Sequence, residues 1–388
     1  MLIRRHARSL LLVGGLAALA VAACSGEVIP PGGDPAFQLP GGPGPGADGG
    51  SDGGGIPDAG GADGGRPDAG APDGGSPSND GGTAGDRFPA GATLYQDVSG
   101  APLDPSSAPI IAHLADAGWG TAAMQIDFSF DVLHADDSVQ PRAFTPAAGY
   151  YSPDCDQVPV PVPPGGATEG STSYACDTSR NDCHLLVYQG RRLYELYQTN
   201  IAGGLASGSP FTTICAVAWD LDRDYWQPGT PYSRGDQCTS ADAAGLPIAP
   251  LLVTGAELQA GVVPHALRFI LPNPRMASGV YVHPATHAGG PSGDALYPPY
   301  GARFRLRSSF DLSQLPNAAA RAVAVALQTY GMILADGGNV PLTMDRSAAA
   351  YLGSHDLALL QVSDFELVAA PGGRIALTYD CTRTPLTQ

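Results

Sequence analysis

Lysine is absent from this 388-residue chain, and all 20 basic side chains are arginine. That removes phosphate-cradling P-loop lysines, Schiff-base chemistry and Ser–Lys dyads from consideration. No HExxH or CxxC run occurs either, and residues 87–388 hold no GxSxG. A nucleophile elbow, a helical zinc-protease site and a paired-cysteine zinc or redox site are therefore excluded. Glutamate is scarce, with five among 37 acidic residues, so the formal net charge of −17 is carried mainly by aspartate. Such a chain is repelled by nucleic acid and by anionic lipid surfaces.

What the N-terminus holds is an address. Arg4, Arg5 and Arg8 precede an apolar run from Leu10 to Ala23, which is shorter than the about 20 apolar residues a spanning helix needs. Residues 1–23 read as a signal peptide. Val21-Ala22-Ala23-Cys24 resembles the lipobox of bacterial lipoproteins. The resemblance implies that Cys24 receives a diacylglyceryl thioether and becomes the mature N-terminus, anchoring the protein in the cell envelope. Ser25 after it implies the outer membrane over the inner. One acyl chain binds membranes only marginally, at about 0.8 kcal/mol per methylene, so two or three chains make the attachment durable. The competing reading is an ordinary secreted chain with an incidental cysteine. The other six cysteines, Cys155, Cys176, Cys183, Cys215, Cys238 and Cys381, form an even set in an exported chain and predict three disulfides. Their pairing stays open, although Cys176 and Cys183 are close enough to bridge a small loop.

Residues 24–86 read as a disordered, lipid-anchored linker. DGG or DAG recurs at Asp48, Asp52, Asp58, Asp63, Asp68, Asp73 and Asp80 among prolines, and this composition cannot bury enough apolar surface to offset backbone entropy. A calcium-binding Gly–Asp solenoid would need large apolar residues at a fixed period, which the tract lacks. As a flexible chain it reaches about 40–47 Å, and nine Asp and one Glu against one Arg lengthen it by self-repulsion.

Residues 87–388 supply the core. Period-two alternation dominates: in MQIDFSFDVL, Ile126, Phe128, Phe130 and Val132 share one face. HLLVYQGRRLYELYQ predicts a hairpin turning at Gln189-Gly190. FTTICAVAW, ALRFILP, GVYVHP, YGMILAD, DFELVAA and RIALTYD predict further strands, and ARFRLRSSF predicts Arg303, Arg305 and Arg307 outward. NAAARAVAVALQTY predicts one helix near 317–330. The expected fold is all-β, a jelly-roll-like β-sandwich carrying that helix and preceded by the disordered linker.

TSADAAGLPIAP, HALRF, YVHPATH and YGMILADGG follow one another. Over residues 184–366 they resemble a family of exported bacterial proteins sharing SADAAGLPI, HALRF, Tyr–x–x–Pro–x–x–His and YGMI-x-AD-x-G. The resemblance implies membership and export but no particular chemistry. The extra cysteines and the insertion DRDYWQPGTPYSRGDQC depart from it. Asp242, Glu257, His265 and Asp336 are the catalytic candidates, because glycoside cleavage needs two carboxylates about 5–10 Å apart. Asp242 as a helix-start acid and Glu257 as a surface residue are the plainer alternatives. Arg268, Tyr281, His283, His287, Arg303 and Arg305 are the candidates for substrate binding. The arginines would fork onto carboxylates or sulfates of a polymer if they line a groove, and form a solvated face otherwise. Trp219, Trp226, Tyr297 and Tyr300 offer rings for sugars. No metal site is expected: Pro284 bars helical zinc geometry for His283 and His287. Asp220, Asp222 and Asp224 alternate as in a calcium loop, but Tyr225 stands where that loop needs Gly. Loosely bound calcium is the one cofactor left open. The functional expectation is a surface lipoprotein that binds or hydrolyses an extracellular polymer, a polysaccharide first of all. A non-enzymatic adhesion module and a structural envelope protein are the alternatives.

Overall fold

MQIDFSFDVL, expected as one strand, folds as two. β1 (Ile126–Phe130) and β2 (Val132–His134) are separated at Asp131 and enter different sheets. The structure is a computed structural model describing residues 86–205, 210–227 and 233–386. The expected signal peptide, Cys24 and the linker up to residue 85 lie outside the described residues. The later strands are β3 (Phe144–Pro146), β4 (Leu185–Gln189), β5 (Arg192–Tyr197), β6 (Phe211–Thr213), β7 (Cys215–Asp220) and β8 (Leu267–Leu271). They continue with β9 (Val280–Tyr281), β10 (Arg303–Leu306), β11 (Met332–Gly337), β12 (Leu342–Asp345), β13 (Phe365–Val368) and β14 (Ile375–Ala376). A six-stranded sheet runs β1-β12-β8-β11-β10-β13 and a four-stranded sheet runs β2-β4-β5-β7, with β3–β6 and β9–β14 as small pairs.

The domain is largely β, as expected. The predicted hairpin is β4–β5, closed by Gly190 and Arg191 between the paired Gln189 and Arg192. Gly190 sits at φ +55°, a conformation that glycine adopts without a Cβ penalty. Pairing is mixed: β1–β12, β8–β11, β2–β4 and β3–β6 are parallel, whereas a jelly roll is antiparallel.

Three α-helices accompany the sheets among the described residues. α3 (Ala318–Thr329) matches the predicted helix, and the Asn317 side chain caps it by accepting the Ala320 N–H at 2.8 Å. α1 (Ser107–Ala117) and the six-residue α2 (Gly255–Ala260) were not expected. Thr254 and Glu257 form a reciprocal capping box on α2, which satisfies two orphan N–H groups at its start. No described helix is long and apolar enough to cross a membrane.

The four-stranded sheet is buried on both faces. Leu186, Tyr188, Leu193, Val217 and Trp219 join the large core shared with the six-stranded sheet, while Leu185, Val187, Leu196 and Ala216 join a smaller one. All six expected cysteines are oxidised, as Cys155–Cys215, Cys176–Cys183 and Cys238–Cys381.

The arginine comb is a correction. Arg303 and Arg305 are only 7% and 8% exposed, so they form neither a solvated face nor an open groove. Residues 93–101 pass beside β10 as a short 3-10 turn (Thr93–Tyr95) followed by irregular chain, and their carbonyls lack ladder partners. Arg303 donates to Thr93 O at 3.0 Å, Gln96 O at 3.2 Å and Tyr330 O at 2.7 Å. Arg305 donates to Val98, Ser99 and Ala101 carbonyls and to Glu366. Long side chains thus supply donors that the local backbone cannot. Burial pulls the Arg303 guanidinium down to about 10. Arg307, half-buried, joins Glu366 at 3.2 Å.

Candidate functional site

A polar row crosses four adjacent strands of the six-stranded sheet. Paired strand residues share a face, so Asp127 of β1 and Thr343 of β12, partners in register, lie on the same side. Leu342 opposes Phe269, which puts the next residue, Thr343, beside Arg268 of β8. Arg268 then bonds Thr343 Oγ1 at 3.2 Å. The last member depends on a bulge. In the β8–β11 ladder Leu334 pairs with Phe269, but Asp336 pairs with Ile270, leaving Ala335 as an extra residue. Without that residue Asp336 would lie on the opposite face; with it, Asp336 shares the face of Arg268. The bulge also frees a carbonyl, and Ala335 O accepts Ala244 N–H at 3.0 Å. This docks the loop that delivers Asp242.

Arg268 is the hub. Its Nε donates to Asp242 Oδ2 and its Nη2 to Asp336 Oδ2, both at 2.8 Å. The guanidinium also stands over the Phe130 ring, 5.5 Å from its centroid. Asp242 is closed from solvent, and its other oxygen accepts Ala244 N–H at 3.1 Å. The Asp336 side chain is 23% exposed. Burial raises both carboxyls, Asp336 to about 7, while Arg268 works the other way. For Arg268, burial opposes the charge but the two carboxylates outweigh it and keep it cationic.

Beside this hub, Glu169 Oε2 meets His184 Nδ1 at 2.6 Å, and His184 Nε2 meets Ala241 O at 2.9 Å. Burial works against a charged His184, but Glu169 outweighs it and carries the imidazole up to about 9. An imidazolium donates from both nitrogens, which fits its two acceptors. Burial would likewise push Glu169 up, yet His184 holds it below the ordinary range. The Glu169 side chain keeps 16% exposure. Tyr197 packs on His184 at 5.3 Å and on Tyr151 at 6.4 Å, and both tyrosines are partly exposed.

The other expected site residues lie in separate networks. Glu257 and His265 form a buried pair at 3.1 Å, with Glu257 also bonded to Thr254. The bonds of this pair do not join the Arg268 network. Tyr281 and His283 share Asp236, at 3.1 and 2.8 Å. His287 bonds Ala243 O at 3.0 Å, bracing the Asp242 loop. Tyr300 and Trp219 are fully buried and present no ring to a ligand. Asp154 lies near the sulfurs of Cys238 and Cys381, but those sulfurs are joined to each other and offer no thiolate.

Sequence reasoning missed Glu169, His184 and Asp127. It also missed Glu195, fully buried on β5, where Trp219 Nε1, Ile248 N and Ala249 N each donate to it at 2.8 Å. Burial raises Glu195 to about 7. A signal existed, because Leu193 and Glu195 share strand parity and a carboxylate on the core face is unusual. Among family models, curated proteins and solved structures, none matches this chain.

The His184 pair predicts a pH response. A histidine titrates near 6.5 unfolded and near 9 here, so the folded state binds its proton more tightly. The resulting stabilisation is complete below pH 6.5 and disappears as pH rises through 9, a loss of about 3 kcal/mol. Urea midpoints measured from pH 6 to 10 should fall across that window. His265, also raised, adds to the slope, so the comparison is between wild type and His184→Gln, which should flatten it.

Proposed function

We propose that this protein is a lipid-tethered envelope protein, held at the outer membrane through Cys24, whose β-rich domain binds or hydrolyses an extracellular polysaccharide. Its two larger sheets would stack as a sandwich of mixed pairing around the shared core. The observation that carries this reading is the contrast between two partly exposed carboxyls. Asp336 is driven toward its protonated form and Glu169 is kept ionised by His184. Glycosidic cleavage uses one carboxylic acid to protonate the leaving oxygen and one carboxylate as base or nucleophile. Asp242, closed off, would hold Arg268 in place and leave the reacting atoms to Asp336. Tyr197 and Tyr151 would carry sugar rings.

A binding module without turnover is the second reading. It is favoured by the hydrogen bonds already spent on Asp336, from Arg268 and from Gly337 N–H at 2.7 Å. Reducing-sugar release over a glycan panel, run beside a glycan array, separates the two. Release that falls at least about 100-fold in Asp336→Asn supports hydrolysis. Binding without release supports the module, and silence in both assays sinks the proposal.

A further inference from the structure

The open cavity of about 450 Å³ beside the β4–β5 turn shares no lining residue with the Arg268 cluster. Its rim is tied together by side-chain hydrogen bonds. Gln189 Nε2 donates to the Asp136 and Val139 carbonyls, each at 2.9 Å. Arg191 donates to Asp222 at 2.9 Å and to Leu221 O at 2.6 Å. Three separate stretches of chain are thereby tied into one rim.

Within that rim stand groups that are not used for bracing. The side chains of Asp137 and Arg192 and the hydroxyl of Tyr194 make no hydrogen bond or ion pair with other described residues, and all three line the cavity. The Tyr194 ring is packed against the smaller core, so it offers a flat apolar surface at little cost in conformational entropy. A fixed ring flanked by an acceptor, a forked donor and a hydroxyl matches a molecule with one apolar face and a rim of hydroxyls.

Charge narrows the class further. Asp137, Asp220 and Asp222 face Arg191 and Arg192 in this lining, and Arg191 is already paired with Asp222. The remaining balance is acidic, which repels uronates and sulfated sugars. We propose that this cavity is a carbohydrate subsite for an uncharged pyranose unit, holding a neutral polysaccharide away from the Arg268 cluster. The proposal rests on the polysaccharide reading above and specifies its ligand class.

The test is isothermal titration of the full-length protein with soluble neutral oligosaccharides (gluco-, manno-, xylo- and galacto-series), and with polygalacturonate and a sulfated galactan. The wild type should bind a neutral series. Tyr194→Ala and Asp137→Ala should each weaken that binding about 3–10-fold, the range of one aromatic contact or one hydrogen bond. Asp137 is exposed, so its variant remains informative if Tyr194→Ala fails to fold by circular dichroism. A neutral glycan bound equally well by both variants, or binding confined to the acidic polymers, overturns the subsite and leaves the polysaccharide reading standing. A wild type that neither binds nor cleaves any glycan overturns both.

Discussion

Arg268→Met should cost this domain about 3–5 kcal/mol, the penalty for stripping the partner from a buried charge. Methionine fills much of the same volume, so the loss is mainly electrostatic. Asp242 keeps only its bond from Ala244 N–H, Asp336 keeps only that from Gly337 N–H, and Thr343 loses its donor. In a domain this large the melting temperature should drop by about 10 °C. The penalty should also shrink in acid. Without the guanidinium the two carboxyls bind protons still more tightly in the folded state, and protonation relieves the buried charge. Urea unfolding at pH 5 and pH 8 checks both statements. Adding Asp242→Asn and Asp336→Asn to the methionine variant should restore part of the loss, because the residues act as one network and their effects are not additive. A single-variant loss below about 1 kcal/mol at pH 8 would mean that the row is too hydrated to behave as buried charge.

The same row shows what a linear reading can and cannot reach. Asp242, Arg268 and Asp336 each stand out in the sequence, since a charged residue inside ALRFIL or YGMILAD interrupts an apolar run. Their meeting depends on the extra residue at Ala335, and one-residue register shifts leave no mark in composition or periodicity. The β4–β5 hairpin and α3 were legible because each rests on local information: alternation around a glycine turn in one case, helical spacing behind an asparagine cap in the other. β12 was not, because PLTMD is too short to display a period. α1 was missed as well, its SAPIIAHLADA run carrying proline near the start, where a first helical turn tolerates it.

Arg303 and Arg305 show a different limit. Alternation correctly placed them opposite Phe304 and Leu306, but it could not reveal that both faces of β10 are covered. Most of their acceptors, the carbonyls of residues 93–101, are about 200 positions away in sequence. Buried arginine is rare unless every donor is satisfied, and that satisfaction comes entirely from tertiary contacts. Glu169 and His184 pose the same problem over a shorter distance: each is ordinary until the fold sets 2.6 Å between them.

The second large effect concerns the chain's C-terminal end. Cys238 and Cys381 are 143 residues apart in sequence, and the segment between them contains β8 through β14. Closing so long a loop removes about 5 kcal/mol of unfolded-state entropy in the chain-entropy model, against a usual range of about 2–5 for native bridges. Two further ties hold the same end. Arg383 donates to the buried Asp156 at 2.6 Å, and β14 pairs with β9. The paired variant Cys238→Ala/Cys381→Ala should therefore lower the unfolding free energy by about 2–5 kcal/mol. The Cys155–Cys215 bridge, whose loop does not overlap this one, should leave the β2–β4–β5–β7 sheet intact. Native-state hydrogen exchange distinguishes how the loss is distributed. If amides of residues 375–386 exchange freely while urea midpoints hardly move, the end peels away before global unfolding and the bridge acts only locally. If β8 and β11 amides lose protection together with it, the long loop stabilises the six-stranded sheet, and with it the Arg268 row.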